Sequence, residues 1–69
     1  MFHTHEIPLT EVEAAQFLRV SLSTLRRRRR TNAGPAFFRI GAVIRYRRRD
    51  LEEFIAANLI AGQEEKHGA

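Results

Sequence analysis

Residues 9–30 read LTEVEAAQFLRVSLSTLRRRRR, and this stretch decides the fold. Thr10 and Glu13 have the spacing of a capping box, in which each side chain accepts the backbone N–H of the other residue. Ser21 is a second candidate helix cap, because a further run with helical apolar spacing follows it. The sequence therefore predicts one helix over about 11–19 and another over about 22–30. Two short helices joined by a turn of about three or four residues form a helix-turn-helix.

A β-hairpin is predicted after the second helix. Residues 31–35, TNAGP, break that helix, since Gly and Pro together punctuate strongly. Two alternating segments, 37–40 and 43–46, then flank Gly41 and Ala42, and Gly41 suits the first position of a type II′ turn. We expect alternation to divide the hairpin into a face that packs on the helices, with Phe38, Ile40, Ile44 and Tyr46, and an outer face, with Phe37, Arg39, Val43 and Arg45.

A third helix is predicted from about Arg48 to about Ile60, stopped by Gly62. Its buried stripe is expected to comprise Leu51, Phe54, Ile55 and Leu59. The order helix, helix, hairpin, helix predicts a winged helix-turn-helix, mainly α with a small β-hairpin. Residues 8–61 would form this domain, between a flexible lead over 1–7 and a flexible polar tail over 62–69.

Charge is divided unevenly along the chain. Residues 19–49 hold eleven arginines and no acidic residue, whereas the flanks hold all eight Asp and Glu together with Lys66. The net charge of +4 thus hides +11 in the middle and −7 outside. A guanidinium is a planar fork of donors that matches phosphate oxygens or a guanine edge. Nucleic acid is therefore the predicted partner.

Several functional classes are disfavoured by composition. The chain has no Cys, which removes disulfides and thiolate metal sites. No apolar run approaches the roughly 20 residues that span a bilayer, and the N-terminus does not read as a signal peptide. His3 and His5 would make a poor metal site, and the acidic residues fit helix starts better than acid–base catalysis. We therefore expect a cytoplasmic protein that is not an enzyme and needs no cofactor or metal.

Four segments resemble the excisionase-type DNA-binding domains, small winged helix-turn-helix proteins related to the MerR regulators and to phage AlpA. Residues 9–18 resemble their opening L-T-x-x-E-A-A-x-x-L, and residues 20–25 resemble V-S-x-S-T-L. Residues 34–41 resemble the start of the wing, and residues 44–55 resemble the closing V-R-Y-x-R-x-D-L-E-x-W-L. Two departures stand out: Arg28 occupies a position that is commonly aromatic or aliphatic in relatives, and Val43 one that is often Arg or Gly.

Helical geometry predicts which side chains of the second helix meet DNA. At 100° per residue, the direction opposite Leu25 is shared, within about 40°, by Ser23, Arg27 and Arg30, with Arg26 on the flank. These four are the predicted major-groove residues, and Arg27 suits the O6/N7 edge of a guanine. Predicted contacts to the DNA backbone come from Ser21, Thr24, Arg28, Arg47, Arg48 and Arg49. Arg39 and Arg45 of the wing are predicted to follow the minor groove.

Two functions on double-stranded DNA stay open. As an excisionase, or recombination directionality factor, the chain would bind adjacent sites, bend the DNA and direct a tyrosine-type integrase of a mobile element in a prokaryote or phage. Its acidic flanks would then meet the arginines of the next copy, head to tail. As an AlpA-type transcription regulator it would occupy a promoter. A third interpretation, an arginine-rich RNA binder or membrane-active peptide, is disfavoured by the two caps and the wing pattern.

Overall fold

The computed structural model describes residues 7–60 and contains five elements. They are the helices α1 (Glu11–Leu18), α2 (Leu22–Arg30) and α3 (Arg48–Ala57), and the strands β1 (Phe38–Ile40) and β2 (Val43–Arg45). Their order, α1, α2, β1, β2, α3, confirms the predicted winged helix-turn-helix. Two predicted segments lie outside the described residues: the flexible lead apart from Ile7, which contains His3 and His5, and the polar tail.

Both predicted helix caps are present. Thr10 Oγ1 accepts the N–H of Glu13 at 3.1 Å, and Glu13 Oε1 accepts the N–H of Thr10 at 2.9 Å, which completes the capping box of α1. Ser21 Oγ accepts the N–H of Thr24 at 3.0 Å and so caps α2. Between the helices, Arg19 adopts the left-handed conformation with φ 60°, and this reversal ends α1 at Leu18.

The core is small and draws on most of the elements. Its fully buried side chains are Ala14 of α1, Leu25 of α2, Tyr46 just after β2, and Leu51 of α3. The small Ala14 and the nearly buried Ala15 let α1 and α2 approach closely. Leu9 and Tyr46 exchange two backbone hydrogen bonds of 2.7 and 2.9 Å, so the residue before α1 is tied to the end of the wing.

The structure corrects the predicted faces of the hairpin. Strand β1 pairs with β2 so that Phe38 lies opposite Arg45 and Ile40 lies opposite Val43, and directly paired residues share a face. Across the two-residue turn, even-numbered residues of β1 therefore share a face with odd-numbered residues of β2. The prediction placed even-numbered residues of both strands on one face and was wrong. The core side is formed by Phe37, Ile44 and Tyr46, while the outer side carries Phe38, Ile40, Val43 and Arg45.

Helix α3 is shorter than predicted and buries less of its stripe. It ends at Ala57, and the Asn58 side chain donates to the Phe54 carbonyl at 2.8 Å where the helical bonds stop. Leu51 is fully buried and Phe54 half-buried, but Ile55 is 45% exposed and Leu59 is 78% exposed. The prediction that these last two side chains are core was wrong, because no described element covers that side of α3. Gly62 lies outside the described residues.

Candidate nucleic-acid interface

Helix α2 sends its consecutive arginines in different directions. Leu25 is fully buried and points to the core, so the opposite face of the helix points to solvent. Ser23, Arg27 and Arg30 are exposed on that face. Within residues 7–60, the side chains of Arg27 and Arg30 form no hydrogen bond or ion pair. The structure thus leaves these two guanidinium groups available at the positions that helical geometry predicts, and their contact with DNA stays a prediction.

Arg26, on the flank of this face, is bound to α1. Its Nε donates to Glu11 Oε1 at 2.7 Å, while about half of the Arg26 side chain remains exposed. This hydrogen bond holds the pKa of Glu11 below its ordinary value. Arg29 Nη1 lies 3.6 Å from the same carboxylate oxygen, and the Arg29 side chain is largely covered. One acidic residue of α1 therefore pairs with two arginines of α2.

Arg28 is engaged within the protein. The Arg28 Nε donates to the Gly34 carbonyl at 2.9 Å, and its Nη2 donates to the Ala33 carbonyl at 2.8 Å. Its Cζ also lies 5.1 Å from the centroid of the Phe54 ring. These contacts turn the guanidinium toward the protein, where it joins α2 to the loop before the wing and to α3. Arg28 braces the fold, and its contact with the DNA backbone stays a prediction.

The arginines at the start of α3 also divide. Arg47 makes a two-point ion pair with Asp50, at 2.7 and 3.1 Å, and this pairing raises the pKa of Arg47 above its ordinary value. Arg48 lies over the Phe17 ring with its Cζ 4.8 Å from the centroid, so that it packs on α1. Arg49 is exposed, and the described part of the chain offers its side chain no hydrogen-bond or ionic partner. Of these three, Arg49 is the best placed to reach a phosphate, and all three contacts stay predictions.

The wing carries its two arginines on opposite faces, contrary to prediction. Arg45 shares the outer face with Phe38, is half-buried, and donates from Nη1 to the Ile44 carbonyl at 2.8 Å. Arg39 lies on the other face, opposite Ile44, yet it is exposed. The hairpin tip is apolar, since Ile40 is 67% exposed and its partner Val43 is 45% exposed. A DNA minor groove that contacts the wing would therefore meet both a basic and an apolar surface.

The cap hydroxyls of α2 are occupied within the helix. Ser21 Oγ, which accepts from the Thr24 backbone, also donates to Thr24 Oγ1 at 2.8 Å and lies 3.3 Å from Ser23 Oγ. The capping role expected for Ser21 is confirmed. Its contact with a DNA phosphate, and that of Thr24, stay predictions.

Two features of this surface escaped the sequence prediction. One is the pairing of Glu11 with Arg26, because residues 15 positions apart come together only once the crossing of α1 and α2 is known. The other is an apolar groove of about 360 Å³ between α1, α2 and α3, which includes Val20, Ile55, Leu59 and Ile60. The sequence signal that could have indicated this groove is the apolar stripe of α3, which continues beyond the residues that the small core can cover.

Other kinds of site find little support in the described region. Among residues 7–60 no group of three or more His, Asp or Glu side chains is placed to hold a metal ion. No helix in this range has the length and hydrophobicity needed to cross a membrane.

Comparison with known proteins identifies the family. The family model described as "Helix-turn-helix domain" matches residues 9–59, a span that contains all three helices and the hairpin. No curated protein and no solved structure matches the chain. The matched family consists of DNA-binding domains of the excisionase and AlpA type, so its partner is double-stranded DNA. Because the match covers well over half of its residues, the chain belongs to this helix-turn-helix family of DNA-binding domains.

Proposed function

We propose that the protein is a sequence-specific architectural DNA-binding protein of the excisionase type. It binds adjacent sites on double-stranded DNA, bends the DNA and sets the direction of an integrase. The observation that carries this proposal is the separation of charge on the fold: arginines without a partner among residues 7–60 stand on α2, whereas carboxylates without a partner in that range stand on α3.

The DNA-facing half of the proposal rests on α2. A recognition helix reads base edges with side chains that point away from the core. Arg27 and Arg30 meet this requirement, because they are exposed on the face opposite the buried Leu25 and have no partner within residues 7–60. In the bound state Arg27 reaches the O6/N7 edge of a guanine. We assign Arg30, first predicted for the major groove, to phosphate, because it is the last residue of α2 and a recognition helix reads bases with its N-terminal residues. Arg39 of the wing and Arg49 of α3 are also exposed and supply further positive charge for the DNA backbone.

The acidic half rests on α3. Glu52 and Glu53 are exposed on this helix, and neither forms an ion pair with the described residues. They supply a surface of opposite charge to the arginines of α2. A contact between different surfaces of identical chains repeats from copy to copy, as a row along DNA requires. The acidic surface of one copy thus meets the arginines at the edge of the next.

Size favours binding in rows. A single module of this kind buries only about 600–1,000 Å² of protein surface on DNA, which limits the affinity of one copy. Contacts between neighbours add affinity without enlarging the module. Bending 20–30 base pairs by 40–90° costs of the order of 1–6 kcal/mol, and a row of copies can repay this cost through its summed phosphate contacts.

Footprinting on a selected target tests the DNA-binding mode. Duplexes that bind the protein are enriched from a random pool, and the best site is then placed in one copy and in two adjacent copies. We expect cooperative protection of the double site and reduced gel mobility that depends on the position of the site, which reports bending. A single short footprint without bending would reject the architectural role.

Charge reversal at Glu52 and Glu53 tests the contact between neighbours. The double variant E52K/E53K is expected to lose cooperativity on the double site, whereas its affinity for the single site is expected to rise with its net charge. Gln16→Lys, which adds a positive charge at an exposed position of α1 and leaves the acidic surface of α3 intact, is the control for added charge. Equal cooperativity in all three proteins would refute the contact.

An excision assay separates the two roles that share this surface. With the cognate integrase, an excisionase is expected to raise excision and to suppress integration. A protein that changes transcription from a neighbouring promoter but leaves excision unchanged would be an AlpA-type regulator instead.

A further inference from the structure

We infer that Glu11 determines the sequence specificity of DNA binding by positioning Arg26. In this arrangement Glu11 makes no contact with a base. It holds the Nε side of the Arg26 guanidinium, so that only the far end of that group faces DNA. The inference rests on the proposed function, since it presupposes sequence-specific binding through α2.

The geometry defines which part of Arg26 is free. A guanidinium has five N–H donors, one on Nε and four on the two terminal nitrogens. The Nε donor is used by Glu11 Oε1 at 2.7 Å. The four terminal donors form no hydrogen bond within residues 7–60, and the side chain is 49% exposed. The two terminal nitrogens of Arg26 are thus free to bind DNA, whereas its Nε is not.

Glu11 is itself held in place, which a positioning residue requires. It belongs to the first turn of α1 and lies inside the Thr10–Glu13 capping box. Its side chain is only 20% exposed, and the same carboxylate oxygen also lies 3.6 Å from Arg29 Nη1. Arg29 is in turn packed near the Phe37 ring, with 6.0 Å between Cζ and the ring centroid. The carboxylate therefore sits between two guanidinium groups on a rigid helix start.

Holding Arg26 favours base recognition over phosphate binding. An untethered arginine reaches any nearby phosphate, and phosphate contacts carry no sequence information. A tethered fork approaches along one direction, and less side-chain freedom is lost when it meets a matching base edge. The negative charge of Glu11 also disfavours phosphates that approach the Nε side. Both effects weaken binding to wrong sequences more than binding to the right one, which is how specificity arises.

Glu11→Gln is the direct test, because it removes the charge and keeps the shape. Affinity is measured for the selected single-site duplex and for a scrambled duplex, over a series of salt concentrations. We expect the ratio of the two affinities to fall by about fivefold or more, in the range of one good bidentate base contact. We also expect affinity for the scrambled duplex to rise, with a salt slope steeper by about 0.9 as Arg26 gains a phosphate.

Ala56→Lys is the matched control, since it raises the net charge by the same amount at an exposed position of α3. It is expected to strengthen binding to both duplexes alike and to keep their ratio. If Glu11→Gln behaves as this control does, the carboxylate contributes only its charge and the inference is overturned.

Arg26→Gln, made alone and together with Glu11→Gln, tests the route of the effect. If Glu11 acts through Arg26, the single R26Q variant lowers the affinity ratio by itself, and adding E11Q changes the ratio no further. Full additivity of the two substitutions would overturn the inference. Should thermal melting show that E11Q is unfolded, R26Q alone decides, and an unchanged ratio is the refuting result. A wild-type protein that does not distinguish the two duplexes would instead refute the proposed function.

Discussion

Arg28 stacks its guanidinium on Phe54, with 5.1 Å between the Arg28 Cζ and the centroid of the Phe54 ring. The same guanidinium donates to the carbonyls of Ala33 and Gly34. One side chain thus joins α2, the loop before the wing and α3. In the resembled domains this position is commonly apolar. Here the stem and the flat face of an arginine serve as packing surface, while the N–H groups donate to two carbonyls of the loop.

We predict that Arg28→Ala lowers the free energy of unfolding by about 2–3 kcal/mol. It removes two charge-assisted hydrogen bonds and a cation–π contact, and it leaves two loop carbonyls unpaired. Arg27→Ala is the matched control, since it deletes the adjacent, exposed arginine and is expected to stay within about 0.5 kcal/mol of wild type. Urea denaturation followed by circular dichroism measures both. Equal effects of the two substitutions would show that Arg28 is not a brace.

Gly34 and Gly41 both have positive φ, and we predict different costs for replacing them with alanine. Gly34 has φ 83°, and a Cβ there would lie 3.3 Å from Phe54 Cε1. Gly41 has φ 61° with open space around it. Gly41→Ala should therefore cost about 1 kcal/mol for the left-handed conformation alone. Gly34→Ala adds a clash at the Arg28–Phe54 contact and should cost measurably more. Thermal denaturation measures the stability of both variants. If Gly41→Ala is less stable than Gly34→Ala, the explanation from the Phe54 contact is wrong.

Local signals in the sequence were sufficient to predict most of the fold. Thr10, Glu13 and Ser21 act within one helical turn, so their capping roles follow from spacing alone, and the structure contains both caps. Helix α2 was predicted with both ends correct. The exposed face of α2, with Arg27 and Arg30, followed from the 100° step of a helix and the burial of Leu25.

Errors arose where a non-local arrangement decides the outcome. The hairpin faces were an exception, because the predicted two-residue turn already fixes the register locally; the prediction miscounted across it, and Ile40 lies outside and Phe37 inside. The exposure of Leu59 depends on whether any other element covers the end of α3. The partner of Arg26 is Glu11, which only the crossing of α1 and α2 brings near. The partners of Arg28 and Arg47 lie three to six residues away, and the prediction missed them because it considered only contacts with DNA.

Tyr46→Phe is predicted to leave stability unchanged or to raise it slightly. Tyr46 is fully buried, and its hydroxyl has no hydrogen-bond partner within residues 7–60. A buried hydroxyl without a partner is destabilising relative to an apolar group of similar shape. The ring itself, 6.0 Å from the Phe37 ring between centroids, is kept in the variant. Urea denaturation provides the comparison, and a loss of more than about 1 kcal/mol would mean that the hydroxyl is hydrogen-bonded in solution.

Stability should depend on the ionisation of Glu11. Its hydrogen bond with Arg26 lowers the pKa of this carboxyl from its ordinary value of 4.5. A lowered carboxyl pKa means that the contribution to stability is fully present above the ordinary value and is lost as the pH falls through the folded-state value. Wild type should therefore exceed Glu11→Gln by up to about 1 kcal/mol at pH 6, and the difference should shrink as the pH falls below 4.5. Denaturation at pH 6, 5, 4 and 3 measures this.

Glu52→Gln is the control for that series, because Glu52 is exposed and has no ionic partner in the described part of the chain. Its difference from wild type should be small and nearly independent of pH. If the E11Q and E52Q series follow the same curve, the ion pair between α1 and α2 contributes nothing to stability in solution.

Arg27 and Arg30 are predicted to contribute to DNA binding in different ways. Arg27→Ala should cost about 1–3 kcal/mol on the selected duplex and relax the preference at one base pair, because a bidentate base contact is lost. Arg30→Ala should weaken binding to every duplex alike and reduce the salt slope by about 0.9, as expected for one phosphate. Ala56→Glu lowers the net charge equally at an exposed position of α3 and should keep the base preference intact. Base preferences that stay the same in both arginine variants would place sequence reading outside this face of α2, and the wing, with Arg39 and the apolar tip of Ile40 and Val43, would then be the remaining candidate.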